Sequence, residues 1–279
     1  MISTLSGYLL FAISFYVLAI IGGDHEQVEI LQHMFVPEIL RMYIHVPGFI
    51  FCVIGPFASL LISFNAKQIL KSLKTLYFVF FGSKIDFTVY IDAIRDIAQY
   101  TQTHDIESLE EYANQIKYPF MRDGVLLLVN GYSKEDIRDT LDSRIQNENA
   151  RDQQDVDFFK EAEGFAPGYG MLGTTVGLIQ MFSAEINPAK GFQPILNAMA
   201  VAFTTTLYGL LFLNFVYGPF HDRVRKRTDE EVMLKGMIVE GLTLIRDKKH
   251  PIFIQDKLIS YVPGSRMLSI PKMEQVPAG

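Results

Sequence analysis

One cysteine, Cys52, is all the thiol chemistry in this 279-residue chain. It excludes an internal disulfide and a cysteine-based metal site. Cys52 falls inside an apolar run, where its expected role is that of a small packing residue. No Walker A loop, GxSxG or HExxH occurs, so the common enzyme signatures are missing and no enzyme is expected. The six histidines, His25, His33, His45, His104, His221 and His250, have spacings that suit no shared metal site. Repeats and low-complexity blocks are lacking as well.

Charge is scarce and uneven. Charged residues make up 20% of the chain, and the mean hydropathy is +0.19, where a soluble domain of this length usually falls below zero. Crossing roughly 30 Å of hydrocarbon takes about 20 predominantly apolar residues. Four stretches free of charged side chains qualify: 1–23, 46–66, 164–184 and 191–220. No Lys or Arg precedes the first, and no small-residue cleavage site follows it, so it is expected to stay as a helix. The runs 76–81 and 124–132 are too short to span and read as core segments.

The basic residues give the orientation. Residues 67–160 hold 12 Lys and Arg and residues 220–279 hold 11, leaving only Arg41 and Lys190 for the other two loops. By the positive-inside rule the middle segment and the tail are cytoplasmic, and four spans place both termini there. The expected fold is an all-α membrane protein with four transmembrane helices, a helical cytoplasmic domain between spans two and three, and a cytoplasmic helical tail. Its parts are residues 1–66 with an acidic external loop at 23–45, a cytoplasmic domain at 67–163, a hairpin of spans three and four at 164–220, and the tail at 221–279. Within the middle segment Ile91, Ile94, Ile97 and Ala98 form a helical stripe. Ser133 and Asp136 have the spacing of a helix cap, and Glu135 and Arg138 that of a helical ion pair. Pro251 and Pro263 break the tail, and residues 264–279 are expected to be loose.

The chemistry concentrates in spans three and four. Gly170, Gly173 and Gly177 make a small-residue face on the third span, with Thr174 on the same stripe. Ala198, Ala202 and Thr206 stand four apart on the fourth, with Gly209 next. Such stripes let helix backbones approach closely, and plain helix packing is the first reading of them. Threonines on both stripes, with Thr205 and Tyr208 nearby, add a polar line through the hairpin. Ion paths usually carry an intramembrane carboxylate, yet no Asp, Glu, Lys, Arg or His lies in any of the four stretches. A conducting bundle would therefore need an acid from a partner helix lying against the stripes. Pro167 is expected to open span three and Pro219 to close span four; as a functional alternative they are a pair of hinges.

The run from Ala166 to Ile179, Ala-Pro-Gly-Tyr-Gly-Met-Leu-Gly-Thr-Thr-Val-Gly-Leu-Ile, together with Ala198-Met-Ala-Val-Ala-Phe-Thr-Thr-Thr-Leu-Tyr-Gly from span four, resembles the MotA/PomA family of flagellar stator subunits. Val46-Pro47-Gly48, Leu60-Leu61-Ile62-Ser63-Phe64, Lys235-Gly236-Met237 and Lys257-Leu258-Ile259 follow the family in order, so the resemblance covers nearly the whole chain. It implies five such subunits around two copies of a MotB-type single-span partner, which brings a membrane aspartate and a peptidoglycan-binding domain. It further implies the bacterial inner membrane, a rotor switch complex as the second partner, no nucleic acid, and no cofactor beyond the transported Na⁺ or H⁺. Thr174 and Thr206 match hydroxyl positions that sodium-type members use, which favours Na⁺ with H⁺ as the alternative. Pro167 and Pro219 match the family's functional prolines. Glu110 matches a rotor-contact glutamate, but the basic position eight residues earlier is Gln102, so Arg95 or Lys117 is the expected substitute. An ExbB/TolQ-type energising subunit and a non-conducting scaffold are the rival readings.

The topology carries its own test. A reporter active only in the cytoplasm and fused to the N-terminus is expected to be active, whereas the external N-terminus typical of an ExbB/TolQ-type subunit would leave it silent.

Overall fold

The computed structural model describes residues 43–82, 85–104, 108–184 and 191–262, and every regular element among them is helical. The first expected span, most of the loop 23–45, the loop 185–190 and the tail 264–279 lie outside the described residues. In chain order the helices are α1 (Val46–Ser63), α2 (Ala66–Phe81), α3 (Phe87–Thr103), α4 (Leu109–Ala113), α5 (Pro119–Val129), α6 (Lys134–Ser183), α7 (Gln193–Phe212), α8 (Gly218–Arg246) and α9 (Pro251–Ile259). A π-helical turn, Leu213–Tyr217, joins α7 to α8.

Two described helices are long and apolar enough to cross a membrane. They are α1, with a mean hydropathy of 2.0, and the continuous run Gln193–Arg246, with 1.7 in its most apolar window. The third expected span is equally free of charge, but its glycines and threonines dilute its hydropathy. Helix α1 starts where His45 caps it, the ring Nδ1 accepting the Gly48 amide at 3.0 Å, with Pro47 in the first turn, where a missing N–H costs no hydrogen bond.

Neither Pro167 nor Pro219 marks a helix end. Pro167 lies inside the 50-residue helix α6, where its ring denies the Glu163 carbonyl its hydrogen bond. Pro219 does not close the expected fourth span either. The π-helical turn just before it, in which the Gly218 amide reaches back to Leu213 O, lets the helical path continue to Arg246. The expected start and stop are thus both positions within helices.

The chain divides into two compact units. The first comprises residues 43–81 and Gln154–Val224, so α2 and the stretch 154–163 pack with the apolar helices rather than with the middle segment. Leu60, Ile69, Val156, Phe158, Phe159, Ala162 and Val224 form its apolar cluster. Beside them lies Asp155, 2% exposed. Its carboxylate accepts from Gln68 Nε2 at 2.8 Å, Ser72 Oγ at 2.8 Å and Thr75 Oγ1 at 2.9 Å, and Lys71 Nζ stands 3.2 Å away. All four donors project from α2, so this one carboxylate fastens α2 to α6.

The second unit comprises residues 82–153 and 225–262. The stripe on α3 is buried as its spacing predicts, with Ile91, Ile94, Ile97 and Ala98 packed in one core with Val125 and Leu128 of α5, Leu141 of α6, Met237 and Leu242 of α8, and Leu258 of α9. Ser133 caps α6, accepting the Asp136 amide at 3.1 Å and donating to its carboxylate at 2.7 Å. Arg138, expected to pair with Glu135, reaches instead to Glu240 on α8 at 2.7 Å. Lys134–Asp247 and Lys235–Glu148 also join α6 to α8 or the turn after it, and Arg144 reaches Asp123 of α5 at 2.8 Å.

Removing the Asp155 carboxylate strands Ser72, fully buried, together with Gln68 and Thr75. Asp155→Ala is expected to destabilise the protein by about 3 kcal/mol. A lower midpoint of thermal unfolding in detergent checks this, and an unchanged midpoint would refute the clasp.

Candidate functional site

The small-residue stripes of α6 and α7 face one another. A Cβ added to Gly170 would come within 3.2 Å of Gly209 Cα, one on Gly177 within 2.7 Å of the Ala202 amide nitrogen, and one on Gly209 within 2.9 Å of Ala166 O. Gly173 receives the side chain of Thr205, 2.5 Å from where its Cβ would be. Ala198 and Ala202 are buried at 6% and 2% exposure. Of the stripe residues expected to receive a partner helix, Gly170, Gly173, Gly177, Ala202 and Gly209 therefore already meet one another or Thr205 and Ala166 within the chain, and Ala198 is buried. Absent side chains are filled by the nearest backbone, and here that backbone is the other arm of the hairpin. A partner has to meet the faces this contact leaves open.

Close approach brings Thr174 and Thr206 together, hydroxyl to hydroxyl. Thr174 Oγ1 also lies 3.0 Å from Gly170 O and 3.2 Å from Ala202 O, and Thr206 Oγ1 lies 3.3 Å from Ala202 O. Each hydroxyl has a single proton. One donates to its partner and the other to a carbonyl, so the cluster keeps oxygen lone pairs unshared and carries no charge. Both threonines are only half-buried. Such oxygens suit a hard cation that has shed water.

Thr205 and Tyr208 sit elsewhere. Thr205 is 1% exposed, its side chain against Gly173 and Gly48 and its carbonyl 3.5 Å from Cys52 Sγ. Cys52 is thus the small packing residue its surroundings suggested. Tyr208 donates to Tyr43 O, accepts the His45 amide at 2.7 Å, and meets Phe49 edge to face with centroids 5.7 Å apart. These two residues hold α1 against α7. Of the four expected ion-path residues, the structure brings together only Thr174 and Thr206. Tyr169 makes a similar contact on the other arm: its ring lies over Gly55, and its hydroxyl is 2.8 Å from Ser59 Oγ.

One pair escaped the sequence reading. His221 Nδ1 lies 2.8 Å from Glu163 Oε2. Glu163 is the residue whose carbonyl Pro167 frees, and His221 stands two places after Pro219, so this contact ties the two proline segments together. Both residues fall just outside the uncharged stretches and 58 positions apart, which left no linear signal to find.

The expected rotor-contact residues are dispersed over the second unit. Glu110 is exposed in the first turn of α4. Arg95 is held by Asp92 at 3.1 Å and Asp96 at 3.0 Å, which removes it as an uncompensated charge. Lys117 lines a cavity of about 270 Å³ with Tyr112 and Tyr118. Gln102 lies on a different and larger cavity at the end of α3. Among the described residues no group of three His, Cys, Asp or Glu side chains could hold a metal ion.

Residues 112–237 match the MotA/TolQ/ExbB proton channel family. The chemotaxis protein PomA of Vibrio alginolyticus is 30% identical over 254 residues, covering 91% of this chain and 97% of PomA. Among solved structures, C. jejuni MotAB matches with a TM-score of 0.79 at 21% identity over 98% of both chains. The flagellar MotAB stator complex from Bacillus subtilis matches with a TM-score of 0.77 at 24% identity, over 95% of this chain and 97% of that one. These two likenesses concern the fold; the family follows from the extent and identity of the PomA match, and the chain belongs to the MotA/PomA family of flagellar stator subunits within the MotA/TolQ/ExbB proton channel family.

Proposed function

We propose that this chain is the ion-conducting, multi-span subunit of a bacterial flagellar stator, working with a single-span MotB-type partner to turn ion flow into torque on the rotor. The observation that carries the reading is the Thr174–Thr206 hydroxyl pair, half-open on two helical stretches, 164–184 and 191–220, that contain no Asp, Glu, Lys, Arg or His. The relationship to PomA and the fold shared with the MotAB complexes support it.

An ion path through apolar helices needs a charge to attract the ion and neutral oxygens to replace its water. The chain supplies the second. The partner's membrane carboxylate supplies the first, docking on the open side of the threonine pair rather than on the glycine stripes. Neutral oxygens at Thr174, Thr206 and the Ala202 carbonyl favour Na⁺ as the coupling ion, with H⁺ as the alternative. Thr205 and Tyr208 act at one remove by fixing α1. Pro167 and Pro219, joined through Glu163 and His221, are the points where ion passage reaches the cytoplasmic segments. Four spans put both termini in the cytoplasm, with the acidic loop 23–45 outside and the second unit presented to the rotor. Five copies around the partner complete the assembly.

Removing the hydroxyls without removing volume tests the path. Thr174→Val with Thr206→Val is expected to slow swimming at least tenfold, the scale of one lost contact to a charge at about 1.5–3 kcal/mol, with membrane level unchanged. Thr→Ser at both positions should keep most of the speed. Titrating external Na⁺ at fixed pH then reads the ion. A speed that follows the proton gradient and ignores Na⁺ would replace sodium by protons, and full speed in the valine pair would end the conducting reading.

A further inference from the structure

Only Phe64 and Asn65 separate α1 from α2, so α2 starts where a membrane span ends. It is not a span itself, because its 16 residues include Lys67, Lys71 and Lys74. Its contacts fix how it lies. Ser72, near its middle, bonds Asp155 of α6. Phe80, near its end, packs on Phe220 of α8 with ring centroids 5.4 Å apart, and the Arg223 guanidinium lies over it at 4.6 Å. Phe220 in turn meets Phe159 of α6. Helix α2 therefore crosses from α6 to α8 and does not run along either. Phe220 is the last residue of one uncharged stretch, and Phe159 precedes the other, 164–184, by about 7.5 Å of helix. That is the depth of the lipid headgroups.

One face of α2 is occupied by these helices. Ile69 and Ser72 are buried, and Gln68 and Thr75 bond Asp155. The opposite face is open and carries two rows at helical spacing. Leu70, Leu73, Tyr77 and Phe81 make the first, and they are 69%, 44%, 62% and 67% exposed. Lys67, Lys71 and Lys74 make the second. No Asp or Glu lies on α2. Lys71 stands beside Asp155, while among the described residues Lys67 and Lys74 pair with no carboxylate.

An apolar row edged by lysines alone is the pattern of a helix lying in a membrane interface, its apolar side chains among the acyl chains and its ammonium groups at the phosphates. Position and continuity favour lipid over protein as the occupant. The face sits at headgroup depth, and α1 leads into it with Leu61 and Ile62 exposed as well. We infer that α2 is an interfacial helix, and that Lys67 and Lys74 bind the phosphates of anionic phospholipids in the cytoplasmic leaflet. The inference rests on the membrane topology proposed above and is independent of which ion is conducted. Lipid then holds from outside the helix that Asp155 holds from within.

The chain contains no tryptophan, so Tyr77→Trp places a reporter on the apolar row. The complex with its single-span partner is reconstituted in phosphatidylcholine vesicles, and the emission of the same complex without the substitution is subtracted. Brominated phosphatidylcholine or brominated phosphatidylglycerol, each of which quenches indole on contact, is then mixed in. Phosphatidylglycerol is expected to be preferred at least about fivefold, the scale of one lysine near a charged surface. Lys67→Gln with Lys74→Gln is expected to abolish the preference and leave quenching by phosphatidylcholine unchanged, because the apolar row stays in lipid. Lys67→Arg with Lys74→Arg should keep the preference. Equal quenching by the two lipids before the lysines are changed, or a preference that survives in the glutamine pair, would overturn the inference. Quenching by neither lipid would overturn it too, by placing protein, such as a second copy of this chain, over the face. None of these results bears on ion conduction, which is read separately from swimming.

Discussion

Helices α6 and α7 approach until backbone meets backbone, and most of what is chemically distinctive about this protein follows from that contact. Gly170 stands against Gly209 and Gly177 against Ala202 at separations where a single added Cβ would have to displace main-chain atoms. In lipid, apolar side chains gain little by leaving one apolar neighbour for another, so close packing and interhelical hydrogen bonds hold the pair together. The same closeness brings Thr174 and Thr206 into hydroxyl contact. A bulkier residue on either stripe would part the helices and separate the two oxygens. The glycines therefore act on the site indirectly, by setting the distance between the residues that form it.

The other contacts of this unit keep the hairpin in place against its neighbours. Thr205, Cys52 and Tyr208 fasten α7 to α1, Tyr169 and Ser59 fasten α6 to α1, and Asp155 draws α2 onto the same helix. Pro167 and Pro219 lie inside helical runs that continue past them. A proline within a helix weakens the local hydrogen-bond ladder without ending the helix, and the π-helical turn before Pro219 shows how the chain accommodates one. The Glu163–His221 contact bridges the two weakened places.

Much of this was legible in the sequence, and the reasons differ by feature. The uncharged stretches, the helical character and the buried α3 stripe follow from patterns within one helix, which linear spacing reports directly. The pairing of Thr174 with Thr206 was visible as two stripes of small and hydroxylated residues. Which stripe faced which neighbour was not, because a glycine face fits a partner helix and an adjacent arm of the same hairpin equally well. Proline usually marks helix boundaries, yet Pro167 and Pro219 lie within helical runs, and only the backbone reveals the π-helical turn that absorbs the second. Arg138 pairs with Glu240, 102 positions along the chain, rather than with Glu135. Contacts of that range depend on tertiary structure, and residue spacing carries no trace of them.

The central claim is that the open side of the Thr174–Thr206 pair faces the membrane carboxylate of the single-span partner. Disulfide trapping tests it most directly. In a Cys52→Ala background, Thr206→Cys would be paired with single cysteines stepped along the partner's membrane helix. Cross-linking in native membranes is predicted to peak within one helical turn of the partner's carboxylate. A flat profile, or a strong cross-link at that level from Met171→Cys on the exposed outer face of α6 in place of Thr206→Cys, would contradict the account.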